Sequence, residues 1–167
     1  PRNTAKLSGL LNGEMDVTGD FSSPKFNGYI DFDTTAVKIN MIGSSFYFSE
    51  DKVPVKDNVI TFSGYEIKGA NDNPLTINGV VDMGNIISPK IDLTMRARNM
   101  QFMNSSRGKG ADVYGKGFIN LDAGVKGDMS EMDVDASLTL LGGSNITYIM
   151  TDATSAITSQ STDEMVK

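Results

Sequence analysis

The chain has 167 residues, a length that fits one all-β domain with an apolar interior and is short for two. Its formal net charge of −6 argues against a nucleic-acid partner, because condensed phosphates would be repelled. Cys and His are both absent, which removes thiolate and imidazole chemistry and the usual zinc and copper ligands. We therefore expect a non-catalytic protein with no catalytic residues, no metal and no cofactor.

The two ends of the chain differ from its middle. The sequence begins at Pro1 and shows neither a signal peptide nor an apolar run that could cross a bilayer, so we expect an excised segment of a larger extracytoplasmic protein. Residues 1–6 are predicted to be a flanking linker and residues 7–150 one β-domain. Residues 151–167 are rich in Ser, Thr and Asp, and are predicted to be a flexible tail or a short helix.

From Gly13 onward, apolar and polar residues alternate with period two in short stretches, and helical periodicity is nearly absent. This pattern is typical of strands with one apolar and one polar face. It predicts about twelve short strands, which would span about 55 Å if all were stacked along one axis. The apolar positions of the shared register are Met15, Val17, Phe26, Ile30, Phe32, Val37, Ile39, Leu75, Ile77, Val81, Ile91, Leu93, Met95, Ile119, Leu121, Val125, Val134, Leu138 and Leu140.

Turn signals separate these stretches, and they favour antiparallel meander connections over helical crossovers. Residues 104–110 are polar, basic and glycine-rich, and are predicted to form a mobile loop. A loose hairpin repeat without constant period favours an elongated sheet over a compact one. The turn signals lie at 22–24, 57–58, 71–74, 88–89, 127–128 and 142–143.

Three motifs suggest chemistry, and each has a simpler explanation. Residues 110–117 resemble a phosphate-binding loop, but the segment continues as an alternating strand and Gly117 replaces the required Ser or Thr. The acid pairs Asp31 with Asp33 and Asp133 with Asp135 are predicted to lie on the solvated face. Residues 71–73 lack the ligand spacing of a calcium loop and are predicted to be a turn.

Several segments, in this order and spacing, resemble one known family. They are 11–19 (LNGEMDVTG), 23–28 (SPKFNG), 73–79 (NPLTING), 114–119 (YGKGFI), 125–127 (VKG) and 143–148 (GSNITY). Together they are similar to the C-terminal domain of the translocation and assembly module proteins of the TamB type, most of all to versions found in Bacteroidetes. The resemblance covers most of residues 7–163.

The resemblance implies a β-taco, which is a single elongated, antiparallel-rich sheet curled into a groove with an apolar concave lining. TamB-like proteins belong with the AsmA-like bridge proteins, are anchored in the inner membrane and span the periplasm. They meet an outer-membrane barrel of the TamA type, and are implicated in phospholipid transport, outer-membrane biogenesis and protein assembly. No catalytic residue follows from the family.

The first hypothesis is therefore a groove for phospholipid acyl chains, lined by the apolar register positions above. The second is a docking or chaperone module whose edge strands pair with an outer-membrane barrel, with Ile146, Tyr148 and Met150 on the docking edge. The third is a closed β-sandwich used as a scaffold or for adhesion.

Overall fold

The computed structural model describes residues 5–108 and 112–150, which form twelve strands and one short 3-10 helix at Asn40–Ile42. In that part of the chain, no helix has the length and apolar character needed to cross a membrane. The strands are β1 Ala5–Ser8, β2 Asn12–Asp20, β3 Ser23–Asp31, β4 Ala36–Ile39, β5 Ser44–Phe48, β6 Val53–Lys56, β7 Val59–Lys68, β8 Leu75–Asp82, β9 Lys90–Ser105, β10 Val113–Gly127, β11 Met132–Leu140 and β12 Asn145–Tyr148.

The described strands make one open antiparallel sheet, which confirms the predicted fold class. The register shows a simple meander of eight arms. The pairs Gly28 with Val55 and Ala36 with Tyr47 keep one offset, so β3 and β4 run end to end against β6 and β5. Likewise β1 continues into β2, and β11 into β12. Arm 1 is therefore β1 with β2, arm 2 is β3 with β4, arm 3 is β5 with β6, and arm 8 is β11 with β12. Arms 4 to 7 are the single strands β7, β8, β9 and β10.

Only eight arms lie abreast, so the predicted 55 Å for twelve stacked strands is wrong. Eight arms give about 34 Å, because neighbouring strands are about 4.8 Å apart. The alternating pattern predicted the number of strands but could not show that eight of them join end to end into four arms.

The sheet curls where its arms extend beyond the turn at 69–74. There the Ser105 hydroxyl of β9 donates to the carbonyl oxygen of Ile42, at 3.0 Å. In the hydrogen-bonding order β5 and β9 are three spacings apart, or about 14 Å on a flat sheet. This contact therefore requires the sheet to bend around the shorter β7–β8 hairpin.

Most arms have an irregular point in their backbone near mid-length. Thr34, Gly64 and Asn99 have φ of 50°, 62° and 50° in arms 2, 4 and 6. The pairing of arms 6 and 7 has two register shifts, with the extra residues on β9, and arm 8 is interrupted at 141–144. Such irregularities bend a strand and increase its twist, so they account for the folding of the sheet along its width.

The buried apolar residues lie in the middle arms. Within the described residues they are Val53, Val55, Tyr65, Ala97, Met100 and Met103. By contrast, β2, β11 and β12 are exposed along their whole length. Side-chain burial thus falls from the middle of the sheet toward both edge arms.

Two boundaries differ from prediction. Strand β1 begins at Ala5, inside the predicted linker 1–6, because residues 5–8 pair with β4. Strand β9 continues through Ser105, so the first two residues of the predicted loop 104–110 are strand, paired with Lys116 and Gly115. Residues 1–4, 109–111 and 151–167, including the predicted tail, lie outside the described residues.

Candidate functional site

The cross-strand register gathers apolar side chains on one face of the sheet, here called the inner face. Directly opposed residues form a continuous row across all eight arms. Six of the eight are apolar side chains and two are glycines, so the row is apolar from one edge of the sheet to the other. Its members are Met15, Gly28, Val55, Ile60, Val81, Ile91, Gly127 and Met132.

Shorter rows lie beside it. One runs through Phe62, Gly79, Leu93, Val125 and Val134, the next through Tyr65, Ile77, Met95, Ala123 and Ala136, and a third through Ile67, Leu75, Ala97, Leu121 and Leu138. Opposed residues project to the same side of an antiparallel sheet. The rows therefore make a continuous apolar surface over arms 4 to 8.

The remaining predicted residues lie on the same face. Val17 opposes Phe26, and Ile30 opposes Val53. Val37 and Ile39 oppose Phe46 and Ser44, and Ile119 opposes Leu140. Phe32 contacts Phe48 and Tyr65 with ring centroids 5.6 Å and 5.7 Å apart. All nineteen residues of the apolar register are thus brought onto the inner face, while their contact with lipid stays a prediction.

None of these nineteen side chains is buried. Those of the middle arms are half-buried, and Met15, Val17, Val134, Leu138 and Leu140 on the edge arms are exposed. A second sheet packed on this face would have buried them. The closed-sandwich hypothesis is therefore wrong for this domain, because the apolar face is left accessible.

Several inner-face residues were not predicted, namely Phe48, Val53, Val55, Ile60, Phe62, Tyr65, Ile67, Met100 and Met103. Bulges in arms 4 and 6 place residues that are three apart in sequence on the same face of the sheet. A search for apolar residues that alternate with period two does not find them. Two signals could have found some of them: the alternation of Val53 and Val55, and Gly64 as the mark of a bulge.

Aromatic rings pack around Tyr65 in the middle of the inner face. Its hydroxyl donates to the carbonyl oxygen of Ser49 at 2.7 Å, so the buried phenol has a partner. Burial, and then the carboxylates of Asp51 and Asp31, raise the pKa of Tyr65 to about 12. The neutral hydroxyl is thereby kept as a hydrogen-bond donor that ties β7 to the segment between β5 and β6.

The opposite face of the sheet is polar. Arg98 donates from Nη2 to the Asp122 carboxylate at 2.7 Å and 2.9 Å, and from Nη1 to the carbonyl oxygens of Ala97 and Leu121. Lys126 lies 3.9 Å from Asp92. A surface cavity of about 450 Å³ lies beside Arg96, Asp122 and Asp135. Within residues 5–108 and 112–150, no cluster of three or more acidic side chains has metal-site geometry.

The other predicted features can be placed in turn. Asp133 and Asp135 are exposed on β11, and Lys116 with its flanking glycines lies within β10 as expected for a strand. The predicted docking residues Ile146 and Tyr148 lie on β12, and Met150 follows it. All three are exposed, and β12 pairs with β10.

An open antiparallel meander with one apolar face defines this chain as a single-sheet, all-β domain of the curled-sheet class. The family model described as the TamB C-terminal domain matches residues 63–166, more than half of the chain. The chain belongs to the TamB C-terminal domain family. No curated protein and no solved structure matches it.

Proposed function

We propose that this domain is a periplasmic, non-catalytic segment of a TamB-like protein that carries phospholipid acyl chains on its inner face between the inner and outer membranes. The observation that carries the proposal is the eight-arm apolar row from Met15 to Met132 with its neighbouring rows. Val55, Tyr65 and Ala97 are buried in these rows, and the other members are half-buried or exposed. The parent protein would be anchored in the inner membrane, and would support outer-membrane biogenesis and protein assembly.

The energetic need for such a surface is large. Each methylene exposed to water costs about 0.8 kcal/mol, so a sixteen-carbon chain crossing an aqueous gap unshielded costs on the order of 12 kcal/mol. An acyl chain in one leaflet spans half of the roughly 30 Å hydrocarbon core, or about 15 Å. An inner face about 34 Å wide across eight arms is long enough to hold an extended chain.

The shape of the face also suits a lipid. Gly79 and Gly127 lie in the rows between larger side chains and add no side chain of their own to the surface. Methionines at Met15, Met95 and Met132 add flexible, polarizable side chains that adapt to different acyl chains. These features favour a mobile hydrocarbon over a rigid ligand.

The test uses adjacent residues on opposite faces. A photo-crosslinking amino acid at Leu93 should capture phospholipid, and the same group at Thr94 should not, since Leu93 lies on the inner face and Thr94 on the polar one. Leu93→Glu should remove phospholipid that co-purifies with the protein in native mass spectrometry, with Thr94→Glu as the matched control. Equal crosslinking at both positions would contradict the proposal.

A second candidate function is docking of a strand from an outer-membrane barrel of the TamA type on the arm 8 edge. Among the described residues, β11 pairs with β10 alone, so its outer edge is free to pair. Charges alternate toward that edge, from Asp92 to Lys126 to Asp133. A basic residue on an incoming strand would continue this alternation.

This docking hypothesis has its own variant. Asp133→Lys with Asp135→Lys should weaken capture of the barrel, whereas Glu14→Lys with Asp16→Lys on the arm 1 edge should not. Unchanged capture by the arm 8 variant, or loss in the arm 1 variant, would argue against docking at β11. Phospholipid binding should survive both changes, because these four carboxylates lie on the polar face.

A further inference from the structure

Four turns of the meander lie side by side at one end of the arms. Because consecutive arms alternate in direction, the turns at 21–22, 57–58, 83–89 and 128–131 share that end. Hydrogen bonds connect neighbours in this row: the Met83 amide donates to the Asn58 carbonyl at 2.8 Å, and the Asn58 side chain donates to the Pro24 carbonyl at 3.0 Å. These four turns are called the turn row.

Large apolar side chains project from three of the four turns. Phe21 is fully exposed, Ile87 is 90% exposed and Met129 is 66% exposed, and Ile86 is exposed beside Ile87. At the opposite end, the described residues of the turns at 69–74 and 106–108 include no large apolar side chain, and the turn at 40–43 exposes Met41. The turns at the two ends therefore differ in the number of exposed large apolar side chains, and solvent exposure of four of them in one row needs an explanation.

Side chains inside the turns satisfy much of the backbone of the turn row. The Asn85 side-chain oxygen accepts from the amides of Ile87 and Ser88, at 3.1 Å and 3.3 Å. The Asp128 carboxylate accepts from the amides of Ser130 and Glu131, at 2.8 Å and 3.1 Å. Backbone groups that already have a hydrogen-bond partner lose less free energy when they leave water. Turns that enter a lipid environment require this.

We infer that the turn row inserts Phe21, Ile86, Ile87 and Met129 into the interfacial region of a phospholipid bilayer. The apolar side chains stand on separate turns with the polar Asp57–Asn58 turn between them. A fluid bilayer accommodates such separated projections, whereas a protein partner is recognised through a contiguous, well-packed patch. Contact with a bilayer surface goes beyond carrying acyl chains on the inner face, and does not depend on it.

The charges near the turn row indicate which bilayer it would bind. Lys90 and Lys126 lie beside Asp82 and Asp128 around one surface cavity at the base of the row, so both signs are mixed. Attraction to anionic lipid requires a cluster of basic residues instead. Binding should therefore occur on phosphatidylcholine vesicles, with little dependence on salt or on added anionic lipid.

The chain contains no Trp, so one introduced Trp reports from one place. With phosphatidylcholine vesicles, Ile87→Trp should show a blue-shifted emission that brominated phosphatidylcholine quenches. Met41→Trp, at an exposed position at the opposite end of the arms, should show neither effect. Equal quenching of the two probes, or quenching of neither, would overturn the inference.

Vesicle flotation supplies a second readout. Ile86→Ser with Ile87→Ser should weaken flotation at least about tenfold, because each buried aliphatic side chain accounts for about one decade of partitioning. Met41→Ser should have no effect. Leu93→Glu should still float, which separates bilayer contact from acyl-chain binding. If the Ser variant floats like wild type, or if its main effect is to abolish self-association without vesicles, the inference is wrong.

Discussion

Phe62 and Tyr65 are three residues apart on β7, yet their rings lie on the same face with centroids 5.8 Å apart. A regular strand would place them on opposite faces. The register shift between them, at Ser63 and Gly64, inserts one extra residue and turns Tyr65 inward. This bulge is one of the mid-arm irregularities that fold the sheet. Its backbone conformation can be tested by substitution at Gly64.

Gly64 has a φ of 62° and no neighbouring atom within 4 Å of the position a Cβ would take. Only conformation restricts this position. Gly64→Val should therefore lower the free energy of unfolding by about 1–3 kcal/mol, while Gly64→Asn should cost less, because Asn tolerates the left-handed region. Urea unfolding of both variants measures the difference. Equal losses would show that the left-handed backbone conformation at Gly64 is not what restricts this position.

Gly79 is restricted by space as well as by conformation. Its φ is 127°, and an added Cβ would lie 2.1 Å from the carbonyl oxygen of Asp92 on the neighbouring strand. Gly79→Ala should cost about 3 kcal/mol or prevent folding, because the backbone of β9 would have to move. Gly124→Ala is the matched control, since nothing lies within 4 Å of its added Cβ. Thermal unfolding that ranks the two equally would contradict this.

Met103 is the most buried large side chain of the described residues, with 0% of its surface exposed. Met103→Ala should lower the free energy of unfolding by about 2–5 kcal/mol through lost contacts and the cavity left behind. Met132→Ala, at an exposed position on edge strand β11, should cost under about 1 kcal/mol. Chemical denaturation of the two variants tests whether stability resides in the middle arms.

The raised pKa of Tyr65 predicts a loss of stability in alkali. The unfolded chain releases this proton near pH 10 and the folded chain near pH 12, so the unfolded state binds fewer protons between these values. Stability associated with Tyr65 is thus complete below pH 10 and falls as the pH rises toward 12. Tyr65→Phe should be less stable than wild type at pH 7 through the lost hydrogen bond to Ser49.

That stability gap between Tyr65→Phe and wild type should narrow from pH 10 to pH 12. The difference between the two proteins removes the contribution of every group that they share. Melting temperatures measured at half-unit intervals give the comparison. A gap that stays constant across this range would show that Tyr65 is not the group responsible.

The regular stretches of the arms were predictable from sequence. Residues such as Leu93 and Val134 alternate strictly with polar neighbours, so their shared face followed from the two-residue period of a strand. The apolar register and the sheet class could be predicted for the same reason. The irregular middle was not predictable: Tyr65, Met100 and Met103 lie beyond bulges, and one inserted residue reverses the face of everything that follows.

The sequence by itself determined that one face of each regular strand is apolar, because side-chain direction there is a local property of the backbone. Only the tertiary structure decided that twelve strands make eight arms, that the face stays uncovered, and that three apolar turns meet at one end. These depend on which strands pair and where each register slips, and such long-range hydrogen bonds leave no fixed spacing in the chain.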